Sequence, residues 1–257
     1  VRSAPDSQLI CLSLQFAVLP RMAIRCLEES PMESLLEGFR HFRKEVYPRQ
    51  SARFQELAGG QSPHTLFITC ADSRVMPELI FSAQPGELFV YRNIGNVVPP
   101  YSQHVSGVVA AIEYAIAVLG VRHIVICGHT DCGAMKAVLK PESLEDVPSV
   151  AAWLKHTDAA RHVTAHHGHD PQSQEALSCM TEENVVSQLD HLRTQPVVAA
   201  RLAAGTLRIH GWIYDIAHGE IRAFDAEKGG FRPLLAESTP EATPRPRLQQ
   251  VVRAELA

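Results

Sequence analysis

The spacing of apolar positions changes several times along the chain, and each change marks an element. From Met32 onward Leu35, Leu36, Phe39 and Phe42 recur at helical spacing until Pro48, and Phe54 with Leu57 marks a second short helix before Gly59-Gly60. Residues 65–69 form a short apolar run ending at Cys70, and residues 88–91 form another. Between them 76–82 reads as helical and Pro85-Gly86 as a turn, which makes a strand, helix, strand unit. Residues 108–119 read as a helix buried on most sides and stopped by Gly120. A β-branched run at 123–127 then enters a Gly128-His129 turn and a helix over 132–139.

Farther along, 149–167 is expected to be helical, as are 182–192 and, after Pro196, 197–203 up to Gly205. Residues 207–216 turn at His218-Gly219 and return as 220–225, which is hairpin-like. Alternating strands and helices predict an α/β fold. Its central parallel β-sheet is flanked by helices through right-handed crossovers, with an N-terminal helical arm and a C-terminal hairpin-like strand region. The expected organisation is one domain over 32–235, between an extension at 1–31 and a mobile tail at 236–257 in which 237–246 is rich in proline and threonine.

Composition narrows the class. A chain of 257 residues with 46% hydrophobic content can bury one sizeable core. A net charge of −4 with interspersed signs predicts neither a nucleic-acid surface nor a polybasic membrane surface, so the expected partner is a small molecule. The apolar stretch at 9–19 contains Ser13 and Gln15 and is followed by no small-residue cleavage site, so it is not read as an export signal. It is also well short of the roughly 20 residues that span a bilayer. Cys11, Cys26, Cys70, Cys127, Cys132 and Cys179 lack the dense spacing of a secreted disulfide scaffold. A cytoplasmic, reducing location is expected.

The candidate chemistry sits just past two predicted strand ends. Cys70-Ala71-Asp72-Ser73-Arg74 follows the first strand, and His129-Thr130-Asp131-Cys132 follows the third. Two thiolates and an imidazole are a zinc set, and a set of three with a carboxylate nearby suits a catalytic ion that keeps one position for water. Zinc would ionise Cys70 and Cys132 while His129 stays neutral, leaving the ion electron-poor enough to convert bound water into a hydroxide nucleophile. Asp72 is expected either to take the fourth position in a closed state or to accept a hydrogen bond from that hydroxide. Arg74 gripping it through both nitrogens favours the second, and lower pH, where hydroxide is scarce, favours the closed state. Cys127 inside its apolar strand reads as core, and Trp153 and Trp212 as packing. His162, His166, His167 and His169 read as a solvated helix end and loop, because no carboxylate or cysteine completes an obvious set there.

These residues resemble the β-class carbonic anhydrases, which carry Cys-x-Asp-x-Arg followed by His-x-x-Cys. The resemblance extends through the Pro-Gly-Glu-Leu-Phe-Val-Tyr-Arg-Asn run at 85–93 and Ala-Ile-Glu-Tyr-Ala at 111–115, and covers 32–234. It implies reversible hydration of CO2 to bicarbonate and a proton, with one Zn2+ per subunit. Within the family the chain looks like the plant-type and cyanate-operon bacterial branch, since Gln61 stands nine residues before Cys70 and Phe67 replaces a tryptophan seen in bicarbonate-inhibited members. That implies an open zinc, with Asp72 already paired to Arg74, and no noncatalytic bicarbonate site. It also implies a homodimer, alone or paired again into a tetramer, with the helical arm over a neighbouring subunit and Gln61 reaching the partner's pocket.

Carried over by position, zinc hydroxide attacks CO2, Asp72 aims it, Arg74 fixes Asp72, and Gln61 donates an amide hydrogen bond to a substrate oxygen. Phe89, Ile94 and Tyr114 match positions that wall the pocket, and Gly133 offers a backbone N–H to an anion. Residues 1–31 match nothing in the family, and a functional beginning at Met32 is one expectation. Two other readings stay open from the sequence. One is a zinc hydrolase of CS2 or COS; the other is a binding or structural protein whose zinc is closed by Asp72.

Overall fold

The computed structural model describes residues 30–102 and 106–235. The expectations for 1–29 and for the tail at 236–257 lie outside the described residues.

Contacts divide the chain into two units, with the boundary between Ser51 and Ala52. The first unit is helical. Helix α1 (Pro31–His41) starts with the Ser30 hydroxyl accepting from the Glu33 N–H, and it passes into a π turn at Phe42–Val46 before α2 (Tyr47–Leu57). Pro48 was expected to interrupt this segment, and it does not. The π turn, closed by the Tyr47 N–H to the Phe42 carbonyl, adds a residue to the preceding turn, where the ring of an interior proline would otherwise clash with the helix. Met32, Leu35, Leu36 and Phe39 on α1 are exposed.

The second unit is built on a six-stranded sheet of order β2-β1-β3-β4-β5-β6. Its strands are β1 (Thr65–Cys70), β2 (Leu88–Asn93), β3 (His123–His129), β4 (Arg208–Asp215), β5 (Glu220–Asp225) and β6 (Gly230–Pro233). The β2-β1-β3-β4 pairs are parallel, as expected, and β5 and β6 extend the sheet antiparallel. Helices along the chain are α3 (Pro77–Ile80), α4 (Gly107–Glu113), α5 (Gly133–Leu139), α6 (Pro148–Leu154), α7 (Asp158–His166), α8 (Gln174–Thr194) and α9 (Pro196–Ala203).

Alternation along the strands sorts the core into two faces. Leu66, Ile68, Ile124, Ile126 and Ile213 pack with Ile112, Ile116, Val185 and Leu189 from α4, its π extension and α8. Phe67, Val125 and Cys127 face the other way, beside Phe81 and Trp212. Burial pushes the Cys127 thiol up to about 12, consistent with a core cysteine. Gly128 lets β3 lie against α8, since a Cβ there would stand 2.9 Å from Val185 Cγ2.

Several boundaries differ from the periodicity. The single helix expected over 149–167 is two, α6 and α7, joined by a 3-10 turn at Lys155–Thr157. Helix α8 starts eight residues before the expected 182. The helix over 108–119 is buried on one side only, because its π extension at Tyr114–Val118 leaves Tyr114 and Val118 exposed. Strand β6 was not anticipated, being a four-residue edge strand with Pro233 at its end.

Candidate metal centre

Cys70 ends β1 and His129 ends the adjacent parallel β3, so both arrive at the same edge of the sheet. Asp131, with a φ of 60°, turns the chain so that Cys132 caps the start of α5. The donor atoms of Cys70, His129 and Cys132 lie within 4.8 Å of one another, and all three residues are buried. His129 Nδ1 stands 2.9 Å from the Thr130 carbonyl oxygen, which makes Nδ1 the protonated nitrogen. Nε2 then carries a lone pair, and it is buried with no hydrogen-bond partner. A polar atom left in that condition costs about 1–3 kcal/mol, which a ligated metal ion removes.

The sulfurs are already provided for. Backbone N–H groups of Asp72 and Gly95 reach the Cys70 sulfur, and those of Ala134 and Met135 reach Cys132. Contact with Cys132 lowers the proton affinity of the Cys70 thiol, while the same contact and burial raise that of Cys132. A dication facing both would favour their ionisation. The set therefore fits zinc in number, type and protonation. Apolar side chains of Val97, Met135, Leu154 and Met180 surround it.

Asp72 and Arg74 meet as expected. Arg74 Nε donates to Asp72 Oδ1 at 3.0 Å and Nη2 donates to Oδ2 at 2.8 Å, and the Arg74 backbone N–H adds a third bond to Oδ1 at 3.0 Å. Asp72 Oδ2 is 3.8 Å from His129 Nε2, so the clamped carboxylate borders the metal set. The Arg74 guanidinium holds this carboxyl well below the ordinary value of 3.8. A group depressed in this way adds stability above its unfolded value and loses it as pH falls through the folded one. Carboxyl NMR of the zinc-loaded protein should therefore show Asp72 untitrated down to about pH 4, and Arg74→Ala should restore titration in the usual carboxylate range.

Residues to which the sequence motifs assign no role complete the support. Asp131 accepts from Arg74 Nη1 at 3.1 Å and pairs with Lys136, so the guanidinium is held on its far side. Arg92 donates to the carbonyl oxygens of Cys70 at 3.1 Å and Asp72 at 2.6 Å. Asp131 stands inside the second motif and Arg92 inside the run at 85–93, but neither signals a partner. Helix α8 holds the segment after β2 through buried amides: Gln188 accepts from the Val98 N–H at 2.8 Å, and Asn184 donates to the Gly95 carbonyl at 3.0 Å. Trp153, expected only to pack, also donates its indole N–H to the Ile94 carbonyl at 2.9 Å.

The pocket residues divide. Ile94 directly follows β2, whose last residue Asn93 is in register with Cys70, and it is 43% exposed at the metal end of the sheet. Gly133 is the first residue of α5, next to Cys132. Phe89 and Tyr114 pack together with ring centroids 6.0 Å apart. Phe89, however, is in register with Leu66, four residues before Cys70, or about 13 Å along the strand. Gln61 precedes β1, at the opposite end of that strand from Cys70. Within one chain, then, Gln61, Phe89 and Tyr114 stand apart from the metal set.

His162, His166, His167 and His169 are exposed, as expected. The expectation that no cysteine or carboxylate joins them is corrected: His167, Cys179 and Glu183 place their donor atoms within 4.8 Å of one another.

The family profile described as "Carbonic anhydrase" matches residues 65–221. The chain is 48% identical over 203 residues to a carbonic anhydrase of Pseudomonas aeruginosa, covering 79% of this chain and 92% of that one. It is 45% identical over 205 residues to carbonic anhydrase 1 of Escherichia coli O157:H7, covering 80% and 93%. Among solved structures, the β-carbonic anhydrase CcaA superposes with a TM-score of 0.76 at 42% identity, covering 79% of this chain and 98% of that one. One of two tetrameric β-carbonic anhydrases from Sordaria macrospora superposes with a TM-score of 0.68 at 31% identity, covering 75% and 96%.

Proposed function

This chain belongs to the β-class carbonic anhydrases, enzymes that hydrate carbon dioxide, and from that membership we propose that Cys70, His129 and Cys132 hold one zinc ion while Asp72 and Arg74 direct the nucleophile. The observation that carries this reading is the buried, unpartnered Nε2 of His129 beside two thiols and a clamped carboxylate. Zinc bound there supplies the Lewis acidity that draws hydroxide from water, the role known for the three-histidine carbonic anhydrases.

The rest is done by the chain. Asp72, kept ionised by Arg74, accepts a hydrogen bond from the nucleophile and so turns its lone pair toward the carbon of CO2. Arg74 spends two of its three guanidinium nitrogens on Asp72, which keeps that carboxylate from serving as a permanent fourth ligand. This favours a working site over a structural staple. Ile94 contributes an apolar wall that suits a nonpolar gas and holds bicarbonate weakly. The Gly133 N–H faces product or anion at the start of α5.

Gln61, Phe89 and Tyr114 stand away from their own chain's metal set, which favours a homodimer, alone or paired into a tetramer, in which they serve the neighbouring site. The exposed apolar positions of α1 fit an arm laid over a second copy. Among the described residues no helix is long and apolar enough to cross a membrane. A reducing compartment such as the cytoplasm suits the two ligand thiols.

Metal analysis paired with stopped-flow CO2 hydration tests the proposal. One zinc per chain is expected, with turnover abolished by dipicolinate and restored by added Zn2+. Full turnover in metal-free protein, or turnover of CS2 or COS in preference to CO2, would overturn it.

A further inference from the structure

We propose that His167, Cys179 and Glu183 form a second transition-metal site, separate from the Cys70, His129 and Cys132 set and taking zinc or a similar borderline cation at the surface. Cys179 and Glu183 are four residues apart on α8 and therefore lie one above the other on a single face. His167 is brought to that face by the end of α7. Its N–H closes the last turn onto Val163 and Thr164, and Gly168, with a φ of 74°, reverses the chain. The three donor atoms come within 4.8 Å of one another although they come from two separate segments.

The surroundings leave these donors available. Glu182, the neighbour of Glu183, is engaged by Arg222 Nη1 at 2.5 Å, whereas among the described residues Glu183 has no Lys or Arg in an ion pair. Cys179 and Glu183 are half-buried, His167 is exposed, and the His169 ring is stacked on that of His167 with centroids 6.3 Å apart. Burial raises the proton affinity of both the Cys179 thiol and the Glu183 carboxyl; the Thr164 hydroxyl partly offsets it at the thiol and the nearby His167 ring at the carboxyl, so a bound cation would favour the ionised form of both. Nitrogen, sulfur and oxygen together match zinc and its borderline neighbours. Magnesium and calcium, which take oxygen alone, do not suit the set. Because the site faces solvent, its ion exchanges more readily than one held by the buried set.

Titration of the zinc-loaded enzyme with Co2+ under reducing conditions tests this. Expected is a thiolate-to-cobalt charge-transfer band that saturates at one added equivalent per chain while bound zinc stays constant. Cys179→Ser should abolish the band. His167→Ala and Glu183→Gln should each weaken cobalt binding by about tenfold or more, with CO2 hydration of the zinc-loaded variants unchanged. Absence of the band, a band undiminished in Cys179→Ser, or cobalt entering only as zinc leaves would overturn the site. Cys179→Ser leaves the Cys70, His129 and Cys132 set intact, so its zinc content and CO2 hydration report on that centre separately.

Discussion

Arg74→Ala should lower CO2 hydration by about 10²–10³-fold while the protein keeps its zinc, because the lost interaction is one that organises the transition state and not the metal. The reasoning is geometric. Arg74 binds both carboxylate oxygens of Asp72, and its remaining nitrogen is anchored to Asp131, so the carboxylate has one orientation. Arg74→Lys replaces a planar fork with a point charge and should recover little of the loss. Asp72→Asn should fall as far, since the amide offers an N–H where an acceptor is required. Equal zinc content with a collapsed rate in all three variants is the expected pattern in stopped flow. An Arg74→Ala enzyme at wild-type speed would remove the dyad from the mechanism.

The other large effect belongs to the ligands. Cys132→Ala or His129→Ala should leave less than about a tenth of the zinc and no measurable turnover, since two donors from this set no longer define a site. Both residues are buried among apolar side chains, so no solvent group replaces the lost atom. Metal bound only by the native state also stabilises it, so these variants should melt below the zinc-loaded wild type and gain nothing from added Zn2+. Inductively coupled plasma analysis and thermal melts read both effects. Zinc retained at full stoichiometry in Cys132→Ala would show that the ion sits elsewhere.

Much of this site was legible in the sequence because its donors lie next to strand ends. The apolar runs before Cys70 and Gly128 announce β1 and β3, and parallel pairing brings the loops that leave these two strands to one edge of the sheet. The supports were not legible. Arg92, Asn184 and Gln188 act on main-chain carbonyl and N–H groups, and for the two α8 residues these are about ninety positions away in the chain. Such partners leave no local pattern.

The start of α8 is hard to read for another reason. Its first two turns bury only Ala176, Leu177, Met180 and Thr181, among polar neighbours, which is too short and too mixed a stretch to set a 3.6-residue rhythm. The join between α6 and α7 failed for a different reason. Both halves carry helical spacing, and only the 3-10 turn at Lys155–Thr157 separates them. His167 meeting Cys179 was invisible for want of any sequence rule that pairs a helix end with the next helix's second turn.

Because neutral amides moor the segment bearing Ile94, whereas ion pairs moor Asp72, the two flanks of the site answer differently to the medium. Rising ionic strength screens the half-exposed guanidinium and loosens its grip, yet has no purchase on the Gln188 and Asn184 bonds inside the protein. Brine is therefore expected to loosen the Asp72 clamp before it disturbs the backbone that carries Ile94.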